Sequence, residues 1–169
     1  MKNYLRLIDH NTDGTRCDVT PIFAAPVAFA QLVDDLIMGL KYDIVAGIDA
    51  LGFILGSAIA VKAGVGFIPV RKGGKLPVPA LSRTFCDYSG AEKSLEIRAD
   101  HDLPGKNILL VDEWIETGAQ VRAAISLLEQ KGAELAAIAT INIDDNPGTA
   151  WLLERYCVRA GNRMVDDQA

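Results

Sequence analysis

The sequence predicts an α/β fold, a single domain with a doubly wound parallel sheet flanked by helices. Short apolar runs alternate along the chain with helical patterns, as they do in folds built from repeated strand, helix and strand units. The chain has 169 residues, half of them hydrophobic, and can therefore bury one substantial core. It contains no internal repeat, low-complexity tract or linker, so we assign residues 1–169 to one domain.

The alternating elements begin after about residue 24. An apolar stripe at helical spacing predicts a first helix over residues 25–41. Periodicity and flanking breakers then predict strands at 43–48, 65–71, 108–111 and 134–143, with helices at 51–63 and 119–131. The stretch 151–169 shows one short helical pattern followed by a polar tail.

Two segments fall outside this alternation. Residues 73–93 are rich in glycine, proline, serine and charge, and Thr84–Tyr88 could pair with Leu95–Ala99 as a hairpin. We therefore interpret residues 73–98 as a flexible flap on the sheet. Residues 1–24 precede the first helix and show no regular pattern of their own.

Composition excludes several classes of protein. The net charge of −5 argues against a general nucleic-acid surface. No apolar run has the length or flanks of a signal peptide or a membrane span, so we expect a soluble, cytoplasmic protein with no membrane partner. Three widely spaced cysteines, Cys17, Cys86 and Cys157, favour reduced thiols over disulfides or zinc ligands.

The most informative segment is Ile108–Gln120, in which an apolar strand, two acids and a Thr-Gly turn precede a helix. This order predicts that Asp112–Gly118 form a strand-to-helix loop, where open α/β sheets bind ligands. Backbone N–H groups at a helix start attract phosphate, and Gly118 permits the turn. Asp112 and Glu113 can accept hydrogen bonds from vicinal hydroxyls and help hold Mg²⁺. Together these features predict a ribose 5-phosphate site.

The same segment closely resembles the phosphoribosyl-pyrophosphate (PRPP) signature of the type I phosphoribosyltransferases. Tyr42–Gly56 and Phe67–Pro77 look like the adenine phosphoribosyltransferase branch of that family. Cys17–Pro21 is a weaker match to the Arg-Asp-Ile-Thr-Pro of that branch. The resemblance runs from about residue 14 to 143 in the family's order and spacing, which makes a chance match improbable.

The resemblance implies transfer of a 5-phosphoribosyl group from PRPP to a purine base in purine salvage, with adenine as the expected base. It also implies Mg²⁺ bound with PRPP, indirectly through Asp112 and Glu113, and a homodimer. Residues 1–24 would form a small N-terminal hood, and the flap would close over the reacting centre. The implied ribose and phosphate contacts are Asp112, Glu113, Glu116, Thr117, Gly118, Ala119 and Gln120, and the implied pyrophosphate contacts are Asp49, Ala50, Arg71, Lys72 and Lys75. Asp49-Ala50 matches a loop that is often cis in relatives.

Several positions depart from the adenine branch. Leu51 stands where relatives usually carry arginine, and Cys17 also replaces an arginine. Within the phosphate loop, the usual Ala-Thr-Gly-Gly-Thr has become Glu116-Thr-Gly-Ala-Gln120. A large aromatic, Trp114, follows the acid pair where an aliphatic residue is usual, and we expect it to serve packing.

Two carboxylates are candidates for the acid/base role. Relatives acting on 6-oxopurines place an aspartate at the position of Glu116, whereas the adenine branch uses a flap glutamate whose nearest match is Asp87. Either residue could instead be a solvated acid, and Glu116 could favour the helix start. Two alternatives therefore stay open, a 6-oxopurine phosphoribosyltransferase and a non-catalytic PRPP- or nucleotide-binding regulatory homologue.

Overall fold

A computed structural model describes residues 2–13, 17–87 and 90–165. Within these ranges a 3-10 helix, Asn3–Leu7, precedes the regular elements. The helices are α1 (Thr20–Ala24), α2 (Pro26–Ile37), α3 (Leu51–Ala63), α4 (Ala119–Gln130) and α5 (Pro147–Arg155). The strands are β1 (Ile44–Ile48), β2 (Gly66–Lys72), β3 (Ala80–Cys86), β4 (Glu92–Arg98), β5 (Asn107–Ile115), β6 (Glu134–Asp145) and β7 (Val158–Val165).

Among the described residues, these strands form one seven-stranded sheet with the order β3-β4-β2-β1-β5-β6-β7. Five neighbouring strands, β2, β1, β5, β6 and β7, pair in parallel. The β3–β4 hairpin adds to the β2 edge in antiparallel orientation. The predicted α/β class with a flanked, mostly parallel sheet is therefore confirmed.

Alternation along β5 shows why helices cover both faces of the sheet. Ile108 and Leu110 pack into one apolar cluster together with residues of α4. Leu109 and Val111 point the other way and pack with residues of α2 and α3. All four side chains are fully buried. A strand buried on both faces has a continuous apolar sequence, which is why the apolar run at 108–111 predicts this strand.

Helix α3 begins where the sequence predicts and lies unusually close to the sheet. A Cβ added at Gly52 would stand 2.8 Å from the Val111 carbonyl oxygen and 3.3 Å from the Asp112 Cα. Only glycine permits this approach, which brings the start of α3 beside the acidic end of β5.

Strand β5 is longer than predicted. It continues through Ile115 because Trp114 and Ile115 pair with Asn142 and Ile143 of β6. Asp112 and Glu113 are therefore strand residues, and the prediction that they lie in the strand-to-helix loop is wrong. The loop itself has only three residues, 116–118.

Other predicted bounds also change. The first long helix ends at Ile37 rather than at residue 41, because the chain turns through Gly39 with a φ of 72°. The predicted polar tail contains β7, which pairs in parallel with β6. An edge strand with one neighbour tolerates polar residues, so its pattern resembled a tail.

The flap contains the predicted hairpin, although with different bounds. Thr84 pairs with Ser94, and the strands begin at Ala80 and Glu92. The predicted hairpin residue Tyr88 lies outside the described residues. In the hood, Tyr4 is buried and donates a hydrogen bond to Asp35 Oδ2 at 3.0 Å. No helix in the described part of the chain is long and apolar enough to cross a membrane.

Candidate active site

A cleft of about 560 Å³ opens at the carboxyl ends of the central parallel strands, where such sheets bind ligands. Most residues predicted for the site line this one cleft. They are Asp49, Ala50, Lys72, Asp87, Asp112, Glu113, Glu116, Thr117, Gly118 and Gln120. The predicted contacts Arg71, Lys75 and Ala119 are not among its lining residues.

The acid pair lies at the floor of the cleft. Asp112 is 3% exposed, and its Oδ1 accepts a hydrogen bond from the Glu113 backbone N–H at 3.0 Å. Its Oδ2 accepts from the Gln120 side-chain amide at 3.3 Å. Burial raises the pKa of Asp112 well above its ordinary value, and the negative charge of Glu113 raises it further. Gln120, predicted as a phosphate contact, here links the start of α4 to the acid pair.

The phosphate loop, residues 116–118, is fixed by groups on α5. Asn146 donates from Nδ2 to the Glu116 carbonyl oxygen at 2.8 Å, and it also caps α5 by accepting from the Gly148 and Thr149 N–H groups. Gly118 starts α4 with a φ of 73°, and a Cβ there would lie 3.0 Å from the Gly148 carbonyl oxygen. The loop therefore needs glycine both for its conformation and for space.

The predicted pyrophosphate sector is formed by the ends of β1 and β2. The Asp49-Ala50 peptide bond, directly after β1, is cis. The Asp49 N–H donates to the Val70 carbonyl at 3.0 Å, which ties this peptide to β2. Lys72 supplies a cation from the end of β2, and Leu51 lines the cleft in place of the arginine usual in relatives.

Arg71 and Lys72 are consecutive strand residues, so their side chains point to opposite sides of β2. Lys72 lines the cleft, whereas Arg71 donates from Nη1 to the Lys75 carbonyl oxygen at 2.8 Å. The contact of Arg71 and Lys75 with pyrophosphate stays a prediction.

Glu96 is a residue of the flap that the sequence motifs did not single out. It is 7% exposed and accepts hydrogen bonds from the backbone N–H groups of Gly74, Lys75 and Leu76 at 3.0, 2.7 and 2.6 Å. Burial alone would raise the pKa of Glu96, but these bonds and the nearby Arg71 charge lower it below its ordinary value. The carboxylate thus fixes the turn that follows Lys72. In the sequence, Glu96 stands between the apolar residues Leu95 and Ile97, and an acid in such a place could have marked it as a residue with a structural role.

Both candidate acid/base residues lie in the cleft. Asp87 forms an ion pair with Lys93, a cation that the sequence motifs did not mark, and its side chain is 9% exposed. Glu116 lines the cleft from the phosphate loop. The structure thus brings together both carboxylates between which the sequence left the choice open.

Trp114 has a role beyond the predicted packing. It packs against the apolar cluster of α2 and α3, and it also lines the cleft. Its indole N–H donates to Asp144 Oδ1 at 3.0 Å. Cys17, in the hood, lines the same cleft and lies 3.1 Å from His10 Nδ1. Burial raises the pKa of its thiol, and the negative charges of Asp144 and Asp9 add to that effect.

The donor set suits Mg²⁺ only together with a ligand. Among the described residues, no group of three or more histidine, cysteine, aspartate or glutamate side chains could hold a metal ion. Asp112 and Glu113 nevertheless offer the hard oxygen donors that Mg²⁺ prefers, and this ion is often held by one or two carboxylates plus substrate oxygens and water. The site therefore fits a shared Mg²⁺ and not a closed protein cage.

The fold and this cleft are those of a phosphoribosyltransferase. The sequence model for the phosphoribosyl transferase domain matches residues 23–166, and the chain therefore belongs to that family. Within the family it is similar to adenine phosphoribosyltransferases, so the resemblance seen in the sequence is confirmed. The enzyme of that name from Dinoroseobacter shibae is 40% identical over 161 residues, covering 91% of this chain and 89% of the relative.

Solved structures give the same result. The crystal structure of adenine phosphoribosyltransferase from Thermoanaerobacter pseudethanolicus superposes with a TM-score of 0.85 at 30% identity, covering 95% of this chain and 98% of that one. The Saccharomyces cerevisiae enzyme, in complex with an imino-altritol bisphosphate and adenine, gives a TM-score of 0.76 at 28% identity, covering 92% and 96%.

Proposed function

We propose that this protein transfers the 5-phosphoribosyl group of PRPP to adenine, forming adenosine monophosphate (AMP) and pyrophosphate in purine salvage. The observation that carries the proposal is the single cleft that collects the acid pair, the phosphate loop, the Asp49-Ala50 peptide and Lys72. The similarity to adenine phosphoribosyltransferases supports adenine as the base.

Each part of the cleft has a task in this reaction. The N–H groups at the start of α4 bind the 5-phosphate, and Asp112 and Glu113 accept hydrogen bonds from the ribose hydroxyls. Lys72 and the Asp49-Ala50 peptide hold the pyrophosphate as its bond to the anomeric carbon breaks. The reaction needs little covalent chemistry from the protein, so its tasks are positioning, charge stabilisation and exclusion of water by the flap.

Mg²⁺ would be held by Asp112 and Glu113 together with PRPP oxygens. When bound, the ion supplies charge neutralisation for the departing pyrophosphate. The protein's part is to present the two carboxylates at the end of β5, with Asp112 fixed by Gln120 and by the Glu113 N–H.

Glu116 supports a 6-oxopurine as a second candidate for the base. A carboxylate in the phosphate loop, lining the cleft next to the acid pair, could accept a proton from the purine N7. Asp87 is the alternative acid/base group and is held by Lys93. Of Glu116 and Asp87, we expect the one that faces the reacting base to be essential, so that its replacement by the corresponding amide lowers turnover.

A pyrophosphate-release assay with PRPP and Mg²⁺ tests these proposals. Adenine, hypoxanthine, guanine, xanthine and a pyrimidine would be compared, and adenine is expected to give the highest kcat/KM. Saturable PRPP binding without release for any base would refute the enzyme and leave the regulatory homologue. Glu116→Gln and Asp87→Asn then assign the acid/base role, because the essential position should lose about 100-fold or more in kcat. Equal activity of both variants with the parent would leave neither essential.

We also infer that the protein works as a homodimer. Helix α3 exposes apolar side chains: Ile54 and Val61, two turns apart on it, are 44% and 83% exposed. Light scattering should give twice the chain mass, and Val61→Glu should return a monomer. A monomeric parent protein would refute the inference. The cytoplasmic location stays a prediction.

A further inference from the structure

The cleft has one sector that phosphate, ribose and pyrophosphate do not account for. The acid pair, the phosphate loop and the ends of β1 and β2 serve those three groups. Beyond the acid pair, the wall toward the hood is lined by Trp114 and by the consecutive hood residues Cys17, Asp18 and Val19. We place a base attached to the ribose in this sector, because the remaining lining residues flank the phosphate loop, belong to the pyrophosphate sector or lie on the flap.

Trp114 is the only large aromatic of the wall toward the hood among the described residues, and its orientation is fixed. Its indole N–H donates to Asp144 Oδ1 at 3.0 Å, and the Asn142 side-chain amide donates to the same oxygen at 2.8 Å. Asn142 is fully buried, and its own Oδ1 accepts from Asn162 of β7 at 3.1 Å. We call Asp144, Asn142 and Asn162 the indole relay.

The indole relay consists of polar groups that do not line the cleft; Asn142 is buried, and Asp144 and Asn162 are half-buried. Buried polar side chains are costly unless they are hydrogen-bonded, and here their bonds end on the Trp114 ring. The relay also lies close to the hood, because a Cβ added at Gly161, next to Asn162, would stand 3.4 Å from Tyr4 Cε2 and 3.5 Å from Leu5 Cδ2. The ring is thus held between the acid pair and the hood, on the side where we place the base.

We propose that Trp114, oriented by the indole relay, is the surface on which the acceptor base stacks and a determinant of the choice between purines and one-ring bases. The two fused rings of a purine offer more contact area to a flat, fixed indole than the single ring of a pyrimidine does, so a purine binds better. Stacking on an aromatic side chain uses the face of the base, so it does not depend on which hydrogen-bonding groups the edge of the base carries. This proposal rests on the proposed transferase function and deepens it.

Fluorescence tests the stacking without any turnover. The chain has two tryptophans, so Trp151→Phe leaves Trp114 as the only indole emitter. AMP and ribose 5-phosphate would be titrated into this variant. Both ligands fill the phosphate and ribose sectors, but only AMP carries a base. We expect AMP to change the Trp114 emission saturably and ribose 5-phosphate to leave it nearly constant.

Three outcomes are distinguishable. Emission that changes with AMP alone supports the proposal. Binding of both ligands, seen by calorimetry, with equal effects on emission would overturn the stacking and leave the transferase function standing. Failure of both ligands to bind would overturn the proposed function and the stacking with it.

Kinetics give a second, independent test. Trp114→Ala removes the ring and should raise the KM for adenine about 10- to 100-fold, with the KM for PRPP within about 2-fold of the parent value. It should also narrow the preference for adenine over a pyrimidine base. Trp114→Phe keeps a ring but loses the bond to Asp144, so we expect an intermediate KM for adenine. Equal changes in both KM values, or none, would contradict the proposal.

Discussion

Substitution of Glu96 by glutamine should loosen the base of the flap by a measurable amount. The carboxylate accepts three backbone N–H bonds, two on Oε1 and one on Oε2. Glutamine retains one acceptor oxygen for Lys75 and Leu76 but turns an NH₂ group toward the Gly74 N–H. A hydrogen bond to a charged group contributes about 1.5–3 kcal/mol, and water can replace part of the loss at exposed Gly74. We therefore expect a net loss of roughly 1.5–3 kcal/mol in the free energy of unfolding.

Thermal unfolding provides the assay. For a domain of this size, 1 kcal/mol shifts the Tm by about 2–4 °C, so Glu96→Gln should lower the Tm by about 3–12 °C. Glu129→Gln, at an exposed acid of α4, is the matched control and should leave the Tm nearly unchanged. Because the turn fixed by Glu96 follows Lys72, the KM for PRPP should rise as well.

The pH dependence of this deficit tests its cause. The folded-state pKa of Glu96 lies below the ordinary value of 4.5. Its ionised form therefore stabilises the fold above that value, and the contribution is lost as the pH falls through the lower folded-state pKa. The deficit of Glu96→Gln should be complete at neutral pH and shrink in acid, below the ordinary value. A deficit of equal size at both ends of that range, or none at neutral pH, would refute the electrostatic reasoning.

Three further substitutions follow from the site. Leu51→Arg supplies the cation usual in relatives and should lower the KM for PRPP about 10-fold or more. The uncharged control Leu51→Met should leave this KM unchanged. An unchanged KM in Leu51→Arg would contradict the assignment of the pyrophosphate sector. Gly52→Ala should cost about 1–3 kcal/mol in urea unfolding because its Cβ meets backbone, whereas Gly66→Ala, with open space, should be nearly neutral. Asn146→Asp keeps the α5 cap but loses the donor to the Glu116 carbonyl, so the KM for PRPP should rise with unchanged helix content by circular dichroism.

The parts of the fold that follow from the sequence are those set by local patterns. Helix α3 has small and apolar residues between clear breakers, and its bounds agree with the prediction. The alternation of strands and helices likewise predicted the sheet. The turn before α4 was predictable because its Thr-Gly sequence has a local conformational reason, the positive φ of Gly118.

The parts that escaped prediction depend on contacts between distant residues. Strand β5 extends past its acids only because β6 pairs with it as far as Ile143. Strand β7 has one neighbour and a polar pattern, so nothing local marks it as a strand. Glu96 acquires its role from a turn twenty or more residues earlier in the chain, and no spacing rule relates them. Cleft-lining Lys93 was missed for the same reason.

The cap on α5 shows that the PRPP signature depends on residues outside it for its conformation. Residues 108–120 contain the whole recognisable signature, yet the Glu116 carbonyl is held by Asn146 and the space behind Gly118 is closed by Gly148. The ring of Trp114 is likewise anchored through Asn142 to Asn162. A fragment that stops before α5 would carry the signature without these supports. The signature therefore does not form its binding site alone. To transfer it to another α/β sheet, the supporting residues of β6, α5 and β7 would have to be transferred as well.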